Sequence, residues 1–242
     1  CRLVLSHTYL GDFRNRLAWN PESAKALLTF GKWIFVSTAF TFLVRQTDRL
    51  LFGQIVSVAM LGVYSVALAL ASIPQQLVDQ FGRAVAFPNY SRLYRDLGTL
   101  RGAFERMRRP VVVVGAAITS LLAIIAVPLV ELLYDARYVE AGWMLQVFAV
   151  GLWFRILESH CGNALLAMGR SRVMAFSSAA KLAGMIVLIP VGYHLHGFPG
   201  AVAAYAVSEC LRYAVSALAV SRHGLRVWKG DFWLTILAAA TV

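Results

Sequence analysis

Hydrophobic residues in this chain come in long runs rather than in alternation, and the polar residues collect between the runs. A helix needs about 20 mainly apolar residues to cross a bilayer. Runs of that kind extend over residues 32–53, 58–87, 111–134, 141–169, 173–195 and 200–220. A further apolar run opens at Asp231 and continues to Val242. The pattern predicts an all-α, polytopic transmembrane bundle of about six full spans plus the start of a seventh. A β-barrel is excluded, because its strands would be segments of about ten residues in strict alternation.

The segments between the runs complete the layout. Residues 1–30 are of mixed polarity with a helix-start signal at Asn20-Pro21-Glu22, and read as a cytoplasmic connector ending in a short amphipathic helix. The transmembrane bundle then occupies 31–230, and 231–242 begin a truncated span. Within the bundle, 91–110 form a basic segment expected to lie as a solvated amphipathic helix at the cytoplasmic surface. Pro74 sits in the middle of the second run and is expected to kink or break its helix. The third run is the most uniformly apolar and is expected to face lipid. Because the chain starts at Cys1 and stops inside an apolar run, it is expected to be a fragment of a longer protein.

Composition agrees with the pattern. Of 242 residues, 59% are hydrophobic and 14% charged, and mean hydropathy is +0.66. The net charge of +11 needs a separate reading, since a basic excess suits nucleic acid as well as membranes. Its distribution decides. Of 23 Lys and Arg, 16 fall in the segments assigned to the cytoplasm and one, Arg137, in an outer loop. That asymmetry follows the positive-inside rule and excludes nucleic acid as the partner. Cys1, Cys161 and Cys210 form no metal or disulfide framework.

The remaining six cations, Arg45, Arg49, Arg83, Arg155, Lys181 and Arg212, lie inside the spans with four acids, Asp48, Asp79, Glu158 and Glu209. Charge at membrane depth is costly and turns toward a bundle interior or a hydrated cavity. Spacings of three and four suggest pairing within helices: Arg45 with Asp48 and Arg49, Asp79 with Arg83, Arg155 with Glu158, Glu209 with Arg212. Read structurally, such pairs fix helix register. Read functionally, the surplus of cations attracts an anion, and arginine suits phosphate because its planar fork makes two parallel hydrogen bonds. The candidate substrate-binding residues are therefore Arg45, Asp48, Arg49, Arg83, Arg155, Lys181 and Arg212. The acids Asp48, Asp79, Glu158 and Glu209 are candidates for ion coupling or fixed counter-ions. His160 beside Cys161, and His194 with His196, lack the convergent ligands of a metal site. No phosphate loop, dinucleotide fingerprint or nucleophile elbow occurs, so no cofactor and no catalytic residue is expected.

The ordered blocks FGKWIFVSTAFTFLVRQTDRLLFG (30–53), LGVYSVALALASIP (61–74), FPNYSRL (87–93), YVEAGWMLQVFAVG (138–151) and ALLAMGRSR (164–172) resemble the polysaccharide-biosynthesis flippases of the multidrug/oligosaccharidyl-lipid/polysaccharide exporter superfamily. The resemblance implies a two-lobe transporter that is not an enzyme. It would flip polyprenyl-pyrophosphate-linked oligosaccharide across the bacterial cytoplasmic (inner) membrane by alternating access, with this chain as the second lobe. It implies as partners the lipid-linked oligosaccharide, membrane lipids, the N-terminal lobe of the same protein and other polysaccharide-assembly proteins. The family pattern includes Gln46, Asp48 and Arg49, whereas Arg45 is an addition to it. The alternatives are a drug or cation antiporter of the same superfamily and a membrane-embedded glycan polymerase or glycosyltransferase.

Overall fold

A computed structural model describes residues 20–225 and 227. The sequence expectations for residues 1–19 and for the run from Asp231 lie outside the described residues. The described residues are helical, with short turns and no strand among them: α1 (Pro21–Ile55), α2 (Val58–Phe81), a π-helical turn (Gly82–Ala86), α3 (Phe87–Leu93), α4 (Leu97–Leu133), a 3-10 turn (Ala136–Tyr138), α5 (Ala141–Ala167) and α6 (Ser171–Arg222). They fall into two units, 1–32 and 33–242. In the first, Asn20 caps the start of α1, its Oδ1 accepting from the backbone N–H of Glu22 at 2.9 Å.

Helix α6 is two helices in one. His196 (φ −134°) and Gly197 (φ +63°) leave helical geometry. The chain turns there, so that an arm of residues 171–195 lies against an arm of residues 198–222. Lys181 on the first arm thereby meets Glu209 on the second.

Four helices, Pro21–Ile55, Val58–Leu93, Leu97–Leu133 and Ser171–Arg222, are long and apolar enough to cross a membrane. With α6 doubled and α5 in their midst, they make an all-α transmembrane bundle. Helix α5 falls outside the apolar set because it carries Gln146, Arg155, Glu158, Ser159 and His160. Its surroundings explain how these are tolerated. It packs against α2, α3, α4 and α6, so its polar side chains meet protein rather than lipid. Gly151 permits the close approach to α6, where a Cβ would sit 3.3 Å from Ala206 Cα. Helix α4 has the opposite character, with Val113, Val114, Leu121, Ile124 and Leu132 exposed and Leu122, Ala123, Ala126 and Val130 buried.

Two local expectations change. Helix α2 is not broken at Pro74: it continues to Phe81, and the irregularity is instead the π-helical turn at Gly82–Ala86. Two residues before the proline, Ser72 Oγ donates to the Ala69 carbonyl at 2.7 Å. The basic stretch 91–110 is not a separate surface helix either. Arg92 belongs to α3, and Arg101 to Arg109 lie on the first turns of α4, which continues through Pro110 into the apolar run. Arg108 does not face solvent: it is buried, donates toward Tyr213 Oη at 3.4 Å and lies over the Phe104 ring.

Asp96 starts α4 as its N-cap, accepting from the Gly98 N–H at 3.0 Å. The Thr99 hydroxyl, then the amides of Thr99 and Gly98, hold its carboxyl below the usual carboxylate range. A lowered acid contributes stability above its unfolded-state value and loses it as pH falls through the folded one. The cap is therefore expected to persist through weakly acidic pH. Amide exchange in the first turn of α4 should accelerate only under strong acid in the parent chain, and already at neutral pH in Asp96→Ala.

Candidate functional site

Eight of the ten charged positions within the spans converge on one cavity of about 840 Å³, bounded by α1, α2, α5 and both arms of α6. Five cations line it, Arg45, Arg49, Arg155, Lys181 and Arg212, against three acids, Asp48, Asp79 and Glu209. Helical periodicity explains the convergence. Arg45, Asp48 and Arg49 recur at three- and four-residue steps on one face of α1, as Ser65, Leu68, Ala69, Ser72, Gln76 and Asp79 do on α2.

The candidate residues separate into three groups. Arg45 and Arg49 are exposed on the cavity wall, and neither guanidinium forms an ion pair or hydrogen bond among the described residues. Arg155, Lys181 and Arg212 belong to a cross-helix network with Asp79, Glu158 and Glu209. In it Lys181 Nζ contacts Glu209 Oε1, Arg155 lies 3.6 Å from Glu209 and 3.8 Å from Asp79, and Arg212 Nε lies 3.4 Å from Glu158 Oε2. Arg83 stands apart, exposed and away from the cavity. Glu158 also lies off the cavity wall, buried, and accepts from Ser216 Oγ at 3.3 Å.

The pairing expected within single helices is thus replaced by pairing between them. Arg155 turns to Asp79 and Glu209 rather than to Glu158, and Glu158 takes Arg212. Once the helices pack, a partner on a neighbouring helix can be approached head-on, while an i,i+4 partner is reached only along the helix surface. Asp48 is buried, at 3% exposure, without an ion-pair partner among the described residues. Its Oδ2 accepts from Tyr64 Oη at 3.4 Å and its Oδ1 from the Arg49 backbone N–H at 2.7 Å.

Charge counting overlooks the neutral residues of the site. Tyr205 lines the cavity with Lys181 Nζ 4.8 Å above its ring centroid. It lies four residues before Glu209, so the helical period could have found it. Thr41 and Ser178 bring their hydroxyls to 3.5 Å across α1 and α6, a long-range contact with no signal in the sequence. His160 packs between Tyr90 and Phe104, and no group of metal-ligating side chains occurs among the described residues.

The profile of the family described as "Polysaccharide biosynthesis protein" matches residues 1–143, more than half of the chain. The chain belongs to this family. Among similar proteins, a teichuronic acid biosynthesis protein of Bacillus subtilis (strain 168) is 24% identical over 64% of this chain and 34% of its own length. A lipopolysaccharide biosynthesis protein of Escherichia coli (strain K12) is 21% identical over 92% of this chain and 46% of its own. A putative O-antigen transporter of Shigella flexneri is 24% identical over 81% of this chain and 46% of its own. The chain thus spans half or less of the length of the relatives it matches. No solved structure matches it.

Membership in this family puts the cavity charges in a membrane protein associated with polysaccharide synthesis. What the geometry offers there is a wall with two uncommitted guanidiniums beside a set of mutually neutralised pairs. A phosphate-bearing ligand would find its first donors in the two free guanidiniums.

Proposed function

We propose that this chain forms one lobe of a transporter that flips polyprenyl-pyrophosphate-linked oligosaccharide across the bacterial cytoplasmic membrane by alternating access. The observation that carries this reading is the pair Arg45 and Arg49, exposed on the cavity wall with no ion pair among the described residues. Four residues apart on a helix, their side chains emerge about 5–6 Å from one another at Cβ, a spacing suited to the two phosphates of a diphosphate. The hydroxyls and amides of Ser65, Ser72, Gln75 and Gln76 on the facing helix supply hydrogen bonds of the kind sugars take. The name of the Shigella relative, a putative O-antigen transporter, fits this reading.

The excess of cations over acids on the cavity wall disfavours the drug or cation antiporter. Against a glycan polymerase stands the shortness of the connections on the outer side, between α1 and α2, α4 and α5, and the arms of α6. Polyprenyl pyrophosphate supplies the charge, a second lobe the opposite wall, and rocking of the two lobes the access to each side.

The test is flipping of a labelled lipid-linked oligosaccharide by the full-length protein in liposomes. A charged hydrogen bond contributes about 1.5–3 kcal/mol. The Arg45→Gln/Arg49→Gln protein is therefore expected to flip about ten- to a hundredfold more slowly than the parent at equal incorporation. Undiminished flipping in that variant and in single replacements of Arg155, Lys181 and Arg212 would sink the proposal, and lengthening of the glycan during the assay would replace it with the enzyme.

A further inference from the structure

Arg155 is held differently from the other cations of the network. It projects from α5 between acids of two other helices, 3.8 Å from Asp79 Oδ2 on α2 and 3.6 Å from Glu209 Oε1 on the second arm of α6. Both distances exceed those of a made hydrogen bond. Its buried Nε, like that of Arg212, has no hydrogen-bond partner among the described residues. Glu209 gives the same oxygen, Oε1, to direct contact with Lys181, so Arg155 is its outer, weaker partner. Asp79 has neutral company in Gln75 Nε2 at 2.9 Å and Ser159 Oγ at 3.4 Å. Arg155 is the one cation within 4 Å of it among the described residues.

Three residues past Asp79, α2 opens into the π-helical turn Gly82–Ala86. Turns of this kind interrupt the regular ladder and are where helices bend, often at functional sites. The turn is seated against α5: a Cβ on Gly82 would lie 2.5 Å from Asn163 Nδ2. Beyond it, Tyr90 on α3 is fully buried. The segment of α2 before the turn carries the cavity wall, whereas the segment after it is fixed in the bundle.

We propose that Arg155 is an anion-operated latch, which ties α2 to α5 and α6 through Asp79 and lets α2 bend at Gly82–Ala86 when a diphosphate takes its guanidinium. The inference rests on the cavity being a phosphoanion path. The oxygens of a diphosphate held by Arg45 and Arg49 give Arg155 the short, bidentate partners it lacks. Asp79 then loses its cation while keeping Gln75, and nothing charged holds that turn of α2 to α5.

The test places spin labels through Ile73→Cys on α2 and Val207→Cys on the second arm of α6, both exposed positions. The full-length protein, its other cysteines replaced by serine, is studied in nanodiscs of zwitterionic lipid. Inorganic pyrophosphate is expected to produce a new, longer distance population by double electron–electron resonance. Asp79→Asn, which keeps an acceptor for Gln75, is expected to show that population without ligand. Arg155→Lys, too short to span both acids, should do the same. A polyprenyl diphosphate should reproduce the effect of inorganic pyrophosphate. If only the polyprenyl form acts, the lipid chain is the trigger and the latch is overturned. Titration calorimetry on the same samples separates the two ideas: pyrophosphate binding without a distance change, or an unshifted Asp79→Asn protein, overturns the latch. Absence of binding overturns the phosphoanion path, and the anion's part in the latch with it.

Discussion

Replacing Glu209 by Gln is expected to destabilise the bundle more than replacing Lys181 by Met, although the two residues form one contact. Both are buried, Lys181 at 1% exposure and Glu209 at 2%. Removing one partner of a buried ion pair leaves an uncompensated charge and costs about 3–5 kcal/mol. The two removals leave different remainders. Without Lys181, Glu209 keeps Arg155 at 3.6 Å, so one favourable interaction survives. Without the Glu209 carboxylate, Lys181 loses its contact and Arg155 keeps only Asp79, at 3.8 Å. Two cations then face each other across the gap. We therefore expect about 3 kcal/mol for Lys181→Met and about 5 for Glu209→Gln, with the double variant well short of the sum because the shared contact is removed once. Equilibrium unfolding in mixed micelles measures all three. Additivity in the double would show that Lys181 and Glu209 stabilise the bundle independently, and equal single effects that Arg155 takes no part in the pair; either result would break the network.

The difference between that network and the one read from the sequence has a physical origin. Apolar runs of bilayer length are legible because lipid demands them, and the intramembrane charges stand out because lipid forbids them. That reasoning draws attention to Arg45, Asp48, Asp79, Lys181 and Glu209, which the fold brings to one cavity. It cannot say which acid meets which base. Helical spacing is the only geometry a single sequence carries, and it favours Arg155 with Glu158 and Asp79 with Arg83. Packing turns α5 so that Arg155 points to α2 and α6, and leaves Arg83 exposed outside the cavity. The central position of α5 is likewise hidden in the sequence, where it reads as one apolar run among six with polar residues within it. Those residues become intelligible once helices cover it on several sides.

Glycine substitutions in the α6 hairpin are expected to act at a distance on the same charges. Gly192 and Gly200 face each other where the arms separate. A Cβ on Gly200 would lie 2.9 Å from the Gly192 carbonyl carbon and 2.8 Å from His196 Cβ, and one on Gly192 would lie 2.8 Å from the Gly200 carbonyl carbon. Backbone lies on both sides of the contact, so no rotamer change can relieve it. Gly197 is a different case. A Cβ there meets nothing within 4 Å, but φ +63° with ψ −150° is backbone that only glycine adopts readily. Gly197→Ala is expected to cost about 1–3 kcal/mol as local strain. Gly200→Ala is expected to cost at least as much, since overpacking costs about 1–3 kcal/mol even where side chains can yield. What distinguishes them is the consequence inside the bundle. Strain at Gly197 stays in the turn, so the proposed flipping, measured in the full-length protein, should approach the parent rate in Gly197→Ala once correctly folded protein is compared. Parting the arms at Gly192 and Gly200 draws Glu209 away from Lys181, and leaves Arg155 without its second acid. Gly200→Ala is therefore expected to lose flipping out of proportion to its loss of stability. If both variants lost flipping only in proportion to stability, the arms would be bearing load without setting the spacing of the cavity charges.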